Sequence, residues 1–136
     1  MHFSNNSSRF LSLFIIFSQL IITSYSTPFS SHLQKRDFSG RGTFYDPSLG
    51  ACGKVSSGSD LIVALNAAQF DKTLNPNNNP ICGKSVTITG PDGTVTCRVE
   101  DRCPSCPFGG LDLSRAAFDK ISNLDRGIAE ITWHFN

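Results

Sequence analysis

The sequence predicts a mainly β fold, a small closed barrel of short strands with two brief helices. Three observations carry that prediction. Segments in which apolar and polar residues alternate recur between Gly40 and Asn136, most clearly at Val95–Val99 and at Ala129–Phe135. Clusters of Gly, Pro, Asn and Asp separate these segments at short intervals, as strand connections require. Only two stretches place apolar residues at helical spacing. Short strands in a chain of this size would leave sheet edges open to foreign pairing, and closure into a barrel removes them.

The chain opens with a polar segment containing Arg9, then the apolar run Leu11–Ile22, then Thr23, Ser24, Tyr25 and Ser26. This reads as a secretory signal over residues 1–26. The run is shorter than the roughly 20 apolar residues that cross a bilayer, and no later stretch comes close, so the expected product is secreted, extracellular and free of the membrane. Residues 27–36 end in Lys35 and Arg36, a pair that reads as the end of a propeptide and leaves Asp37 as the new terminus; a plain surface pair on a flexible arm is the other reading. Residues 37–136 number 100, enough for one domain and too few for two.

Within that domain, Gly40–Tyr45 forms the first strand, with Thr43 and Tyr45 on one face and Phe44 on the other, ended by Asp46, Pro47, Ser48 and Gly50. From Asp60 to Phe70, Leu61, Ala64, Leu65 and Ala68 fall at helical spacing behind Ser59 as cap, which predicts the first helix. Asn75, Pro76, Asn77, Asn78, Asn79 and Pro80 make a surface loop. Lys84–Thr89 and Val95–Val99 flank Pro91, Asp92 and Gly93 as an antiparallel hairpin. Ser114 caps a second helix running to Ile121, with Leu113 and Phe118 as a hydrophobic staple. Gly127 opens the last strand, in which Ala129, Ile131, Trp133 and Phe135 face inward. The apolar company of Trp133 assigns it to the core rather than to a sugar-stacking platform.

Beyond Arg36 the chain carries nine Lys and Arg against eleven Asp and Glu, a net charge of −2. That balance excludes a nucleic-acid footprint, which needs a basic face. All five cysteines lie in the same part: Cys52, Cys82, Cys97, Cys103 and Cys106. Cys97 shares a strand face with Val95 and Val99 and reads as a buried free thiol. The remaining four favour Cys52 with Cys82 and Cys103 with Cys106, although spacing alone leaves other pairings open. Only Cys103 and Cys106 show zinc-ligand spacing, and no second such pair follows, so neither a metal nor any other cofactor is expected.

The candidate site is built around Asp101 and Asp112. Asp101 follows Val95, Cys97 and Val99 on one face of the strand, which therefore ends in a charge beside the loop of Cys103, Pro104, Cys106, Pro107, Gly109 and Gly110. Asp112 emerges from that loop between Leu111 and Leu113. Two acids and a cysteine-clamped loop in an apolar setting make a surface cleft. Partial desolvation raises the pKa of Asp112 toward a value useful for proton donation, though a carboxylate before the second helix also suits the helix terminus. Asp101 equally fits a pairing with Arg102 or a contact that supports the turn.

The strings GTFYDPSLGACG, NPNNNPICGKSVTITGPDGTV, VEDRCPSC, LDLS followed by AAF, and the closing ITWHF resemble, in that order, the double-psi β-barrel domain. The pattern is most similar to small secreted fungal expansin-like proteins, often called loosenins, and to the rare lipoprotein A-like domain. The match covers Gly40–Asn136, and the resemblance implies a six-stranded barrel with a polysaccharide groove across one side. It implies that Thr43, Tyr45, Asp101 and Asp112 line the groove, with Asp112 at the position of the general acid of family 45 endoglucanases. In those enzymes the base follows the threonine by four residues, whereas Asp46 follows Thr43 by three. An inverting hydrolase needs carboxyls roughly 6.5 to 9.5 Å apart, so a displaced base disfavours hydrolysis.

The expected function is a monomeric, expansin-like protein that binds cell-wall polysaccharide, such as cellulose or chitin, through Thr43, Tyr45, Asp46, Asp101 and Asp112 and loosens it without cleavage. Two alternatives use the same barrel. One is an interaction protein, a protease inhibitor or an effector aimed at a host protein, as barwin-like domains illustrate. The other is a weak glycanase or lytic transglycosylase with Asp112 as its acid.

Overall fold

A computed structural model describes residues 35–71 and 78–136. The expected signal over 1–26, most of the expected propeptide, and Asn75, Pro76 and Asn77 of the expected surface loop lie outside the described residues. Six strands close into a barrel: β1 (Phe38–Tyr45), β2 (Ile62–Asn66), β3 (Ser85–Thr89), β4 (Thr94–Cys103), β5 (Leu111–Ser114) and β6 (Ala129–Phe135). Around the barrel the order is β1-β5-β2-β4-β3-β6. The β1/β5 and β2/β4 pairs are parallel and the other four antiparallel, so the chain crosses between strands that are not neighbours in sequence. Two short helices accompany the strands, α1 (Ala67–Phe70) and α2 (Arg115–Asp119). The mainly β barrel with two brief helices is the architecture the sequence predicts.

Alternation explains β3, β4 and β6. Val86 and Ile88 point into the barrel from β3, Val95, Cys97 and Val99 from β4, and Ala129, Ile131 and Trp133 from β6, all 6 % exposed or less. Leu111 and Leu113 of β5, Phe70 and Phe118 complete the core with no exposure at all. Withdrawing each large apolar side chain from water contributes about 1.5–3 kcal/mol. Trp133 is core, as its neighbours in sequence imply, and its indole N–H donates to the Gly109 carbonyl at 2.8 Å.

The expected helix over Asp60–Phe70 is a correction. Ile62–Asn66 is a strand with all five residues buried, and only Ala67–Phe70 is helical, capped by Asn66 rather than Ser59. A strand between two neighbours with both faces covered shows a continuous apolar run, which matches helical spacing as well as it matches a strand. Boundaries also shift. β1 begins at Phe38, α2 ends at Asp119, and Gly127 closes a 3₁₀ turn at Leu124–Arg126 with φ 67° before β6 begins. Asn79 is not a solvated loop residue: it is 4 % exposed, donates to the Phe70 carbonyl at 2.6 Å and accepts from the Ile81 N–H.

Two disulfides tie the connections down. Cys52–Cys82 joins the segment after β1 to the approach to β3, and Cys103–Cys106 closes the turn after β4. Cys97 is a buried free thiol whose pKa burial pushes up to about 12.

Candidate functional site: a row of carboxylates and hydroxyls across four strands

The register of four strands places Thr43 of β1 beside Asp112 of β5, Asp112 beside Ala64 of β2, and Ala64 beside Asp101 of β4. These four positions form one row across the outside of the barrel. Each strand contributes for a local reason. Asp112 lies between Leu111 and Leu113, both wholly buried, so the pleat turns its carboxylate outward. Thr43 and Asp112 then meet, with the Thr43 hydroxyl donating to Asp112 Oδ1 at 2.8 Å. Ala64, 3 % exposed, lies between the two acids and supplies only a methyl group. Three adjacent strands at about 4.8 Å spacing put the two aspartate backbones roughly 10 Å apart.

Asp101 reaches the row by a route the alternation of β4 does not show. Counting by twos from Val95, Cys97 and Val99 would turn Asp101 toward the core. The β2/β4 register instead runs Val63 with Val99 and then Ala64 with Asp101, which leaves Glu100 as the extra residue of a bulge. The bulge brings Asp101 onto the outer row. Glu100 itself is 2 % exposed and accepts from Lys54 Nζ at 3.1 Å, with Arg98 Nε at 3.4 Å.

Three donors hold the Asp101 carboxylate. Oδ1 accepts the backbone N–H of Ala51 and of Arg102, each at 2.8 Å, and Oδ2 accepts the Tyr45 hydroxyl at 3.1 Å. Ala51 is delivered by a loop fixed through the Cys52–Cys82 bond and through the Cys52 N–H on the Glu100 carbonyl at 3.2 Å. A Cβ at Gly50 would lie 2.4 Å from that carbonyl, so the loop approaches β4 this closely only because residue 50 is glycine. Arg102 does not pair with Asp101 through its side chain; its guanidinium grips Asp71 at 2.6 and 2.5 Å, which holds the Asp71 carboxyl below its ordinary range.

Beyond Asp112, the turn from Cys103 to Gly110 walls a cavity of about 170 Å³, lined among others by Arg41, Thr43, Ser105, Pro107, Asp112 and Ile128. A buried amide network supports this wall. The Asn66 side chain donates to Gln69 Oε1 at 2.6 Å and to the Gly110 carbonyl at 3.1 Å, while Gln69 Oε1 accepts the Gly109 N–H at 3.2 Å. Neither Asn66 nor Gln69 carries a sequence signal of this role.

Burial raises the pKa of Asp112 above the ordinary aspartate value; the Thr43 hydrogen bond opposes the rise and the charge of Asp101 adds to it. Burial also raises Tyr45, reinforced by Asp101 and then Asp112, so the phenol stays protonated and donates. Asp46 stands apart from the row. It is largely exposed, and Arg115 binds it with Nε at 2.7 Å and Nη2 at 3.3 Å, which lowers its pKa. Arg115 in turn lies over the Phe44 ring, 4.9 Å from its centroid. Among the described residues no group of three His, Cys, Asp or Glu side chains gathers as a metal site.

Against known proteins, a family model described as lytic transglycolase, a double-psi β-barrel, matches residues 37–133. A papain inhibitor from Streptomyces mobaraensis is 39 % identical over 132 residues, covering 93 % of this chain and 92 % of that protein. The solved structure of a Streptomyces papain inhibitor superposes with a TM-score of 0.68 at 43 % identity, over 74 % of this chain and 94 % of the other. An expansin of Clavibacter michiganensis superposes with a TM-score of 0.64 at 28 % identity, over 74 % of this chain and 50 % of the expansin. An aspartate-to-asparagine variant of that expansin is solved in complex with cellohexaose, again with a TM-score of 0.64. The chain therefore spans about half of the expansin and nearly all of the inhibitor. With the closed barrel and this match, the chain belongs to the rare lipoprotein A-like double-psi β-barrel family.

Proposed function

We propose that the protein is secreted and binds a cell-wall polysaccharide chain along the Thr43, Asp112 and Asp101 row, loosening contacts between chains without cutting them. The carrying observation is the state of the second carboxylate. An inverting hydrolase needs a base poised on a water, and three of the four lone-pair sites of the Asp101 carboxylate are already taken by the Ala51 N–H, the Arg102 N–H and the Tyr45 hydroxyl. Asp46, the other acid expected at the groove, is turned to Arg115. What the row offers instead is hydroxyls, carboxylate oxygens and the face of Tyr45, a set suited to sugar hydroxyls. Likeness to an expansin whose variant is seen with cellohexaose supports this reading, and two disulfides suit an extracellular product. The test is a pull-down of the secreted protein on cellulose, chitin and peptidoglycan with reducing ends assayed in the same tubes. Binding without release is expected; release by the native protein that is lost in Asp112→Asn would replace this reading with a glycanase.

A second reading has its own support. Similarity to the papain inhibitor runs through nearly the whole of both chains, and a rigid loop suited to a protein partner stands beside the row. Leu49 and Val55 face each other across a single β-bridge, 68 % and 80 % exposed, on the loop that Cys52–Cys82 fixes. An inhibitor of papain-like proteases would use this apolar tip, since a loop held rigid before binding loses little entropy on docking. Inhibition of papain that persists in Asp112→Asn and falls in Leu49→Ser and Val55→Ser would establish it. No inhibition by the native protein would remove it.

A further inference from the structure

We propose that the Arg36–Asp37 peptide bond is a maturation site, hydrolysed by an endoprotease that recognises a Lys-Arg pair, and that the working barrel begins at Asp37. Lys35 and Arg36 are the only adjacent basic residues in the 136-residue chain, so a protease with two acidic subsites side by side finds one address. Lys35, Arg36 and Asp37 are exposed and lie outside any strand. The first paired residue is Phe38, opposite Trp133, so hydrolysis at this bond breaks no β-ladder hydrogen bond. The region shared with the family also starts at residue 37. Sequence address, accessibility, the first strand pair and the family boundary thus converge on one bond.

The chemistry is ordinary peptide hydrolysis. Water adds across the C–N bond, Arg36 leaves with a new carboxylate, and Asp37 gains an α-ammonium group. The new terminus stays attached to the barrel, because Asp37 Oδ1 meets His134 Nδ1 of β6 at 3.3 Å and Phe38 stacks on Trp133 with ring centroids 4.6 Å apart. Removal of residues 1–36 takes away three basic residues and no acidic one, which turns the formal charge from +1 to −2. The site is independent of what the groove binds.

The test has two arms. The full chain, expressed in a eukaryotic secretory host that carries a dibasic-specific convertase, should emerge with Asp37 as its N-terminus by intact mass and terminal sequencing. In the same host without the convertase, or with Arg36→Gln, the product should retain the extension. Unprocessed precursor purified from the medium of the convertase-lacking host and treated with the isolated convertase should give one cut, leaving a resistant fragment of 100 residues. A terminus at Thr27 in the convertase-bearing host, or an uncut or differently cut chain in the purified reaction, would overturn the proposal.

Discussion

Asp112→Asn separates the two consequences of burying a carboxylate in a binding row. The change keeps the side-chain shape and an oxygen to accept the Thr43 hydroxyl, now at 2.8 Å from Asp112 Oδ1. What it loses is charge. A charged acceptor contributes about 1.5–3 kcal/mol to a hydrogen bond and a neutral one about 1 kcal/mol. The loss on a sugar hydroxyl is therefore about 0.5–2 kcal/mol, or roughly a 2- to 30-fold weaker Kd. Stability should move the other way. Burial raises the folded pKa of Asp112 above its unfolded value of 3.8, so between those two values the folded state holds the proton more often. Folding stability contributed by this group is thus full below the unfolded value and is lost as pH rises through the folded one. Above the folded value the ionised Asp112 is a liability that asparagine removes. Glycan binding by calorimetry and thermal unfolding at pH 3 and 7 read both effects: weaker binding, with a higher Tm at pH 7 and a smaller difference at pH 3. Unchanged binding would show that the row is not the glycan site, and a lower Tm at pH 7 would refute the desolvation argument.

Tyr45→Phe removes the donor to Asp101 Oδ2 and should cost about 1 kcal/mol of stability, read by denaturant unfolding, while leaving the two backbone donors in place. Opening Cys52–Cys82 with Cys52→Ser and Cys82→Ser together should cost roughly 3–4 kcal/mol on the chain-entropy model, since the bond closes a 30-residue separation. Alkylation of the denatured, unreduced protein should label Cys97 alone; in the native protein, burial and a thiol pKa near 12 should keep it unlabelled at pH 8. Asp46→Asn should leave binding unchanged, because Arg115 rather than the groove holds that carboxylate.

How much of this was legible from residues alone depends on what each strand faces. β3, the first half of β4 and β6 face the core on one side and water on the other, and their alternation is visible. β2 has neither face in water, so the pattern that identifies a strand is absent and the run Leu61–Ala68 mimics a helix. Asp112 is legible because Leu111 and Leu113 fix its direction. The position of Asp46 is not legible, because its partner Arg115 lies 69 residues away and nothing local announces the pair.

The bulge at Glu100 is the least legible feature and the one on which the site turns. Read as a regular strand, β4 would send Asp101 inward beside Val99, where an ionised carboxylate would lack the water that stabilises it. One extra residue sends Asp101 outward, and its carbonyl receives Cys52 while its side chain receives Lys54. The same residue therefore turns the second acid of the row into place and anchors the loop that presents the Ala51 N–H to that acid. That loop also carries Leu49 and Val55, so the polar row on the strands and the apolar tip on the loop are joined through the Ala51 N–H on Asp101. The barrel thus presents a polar strand row and an apolar loop tip side by side. That fits a family in which one relative is named an expansin and another a papain inhibitor.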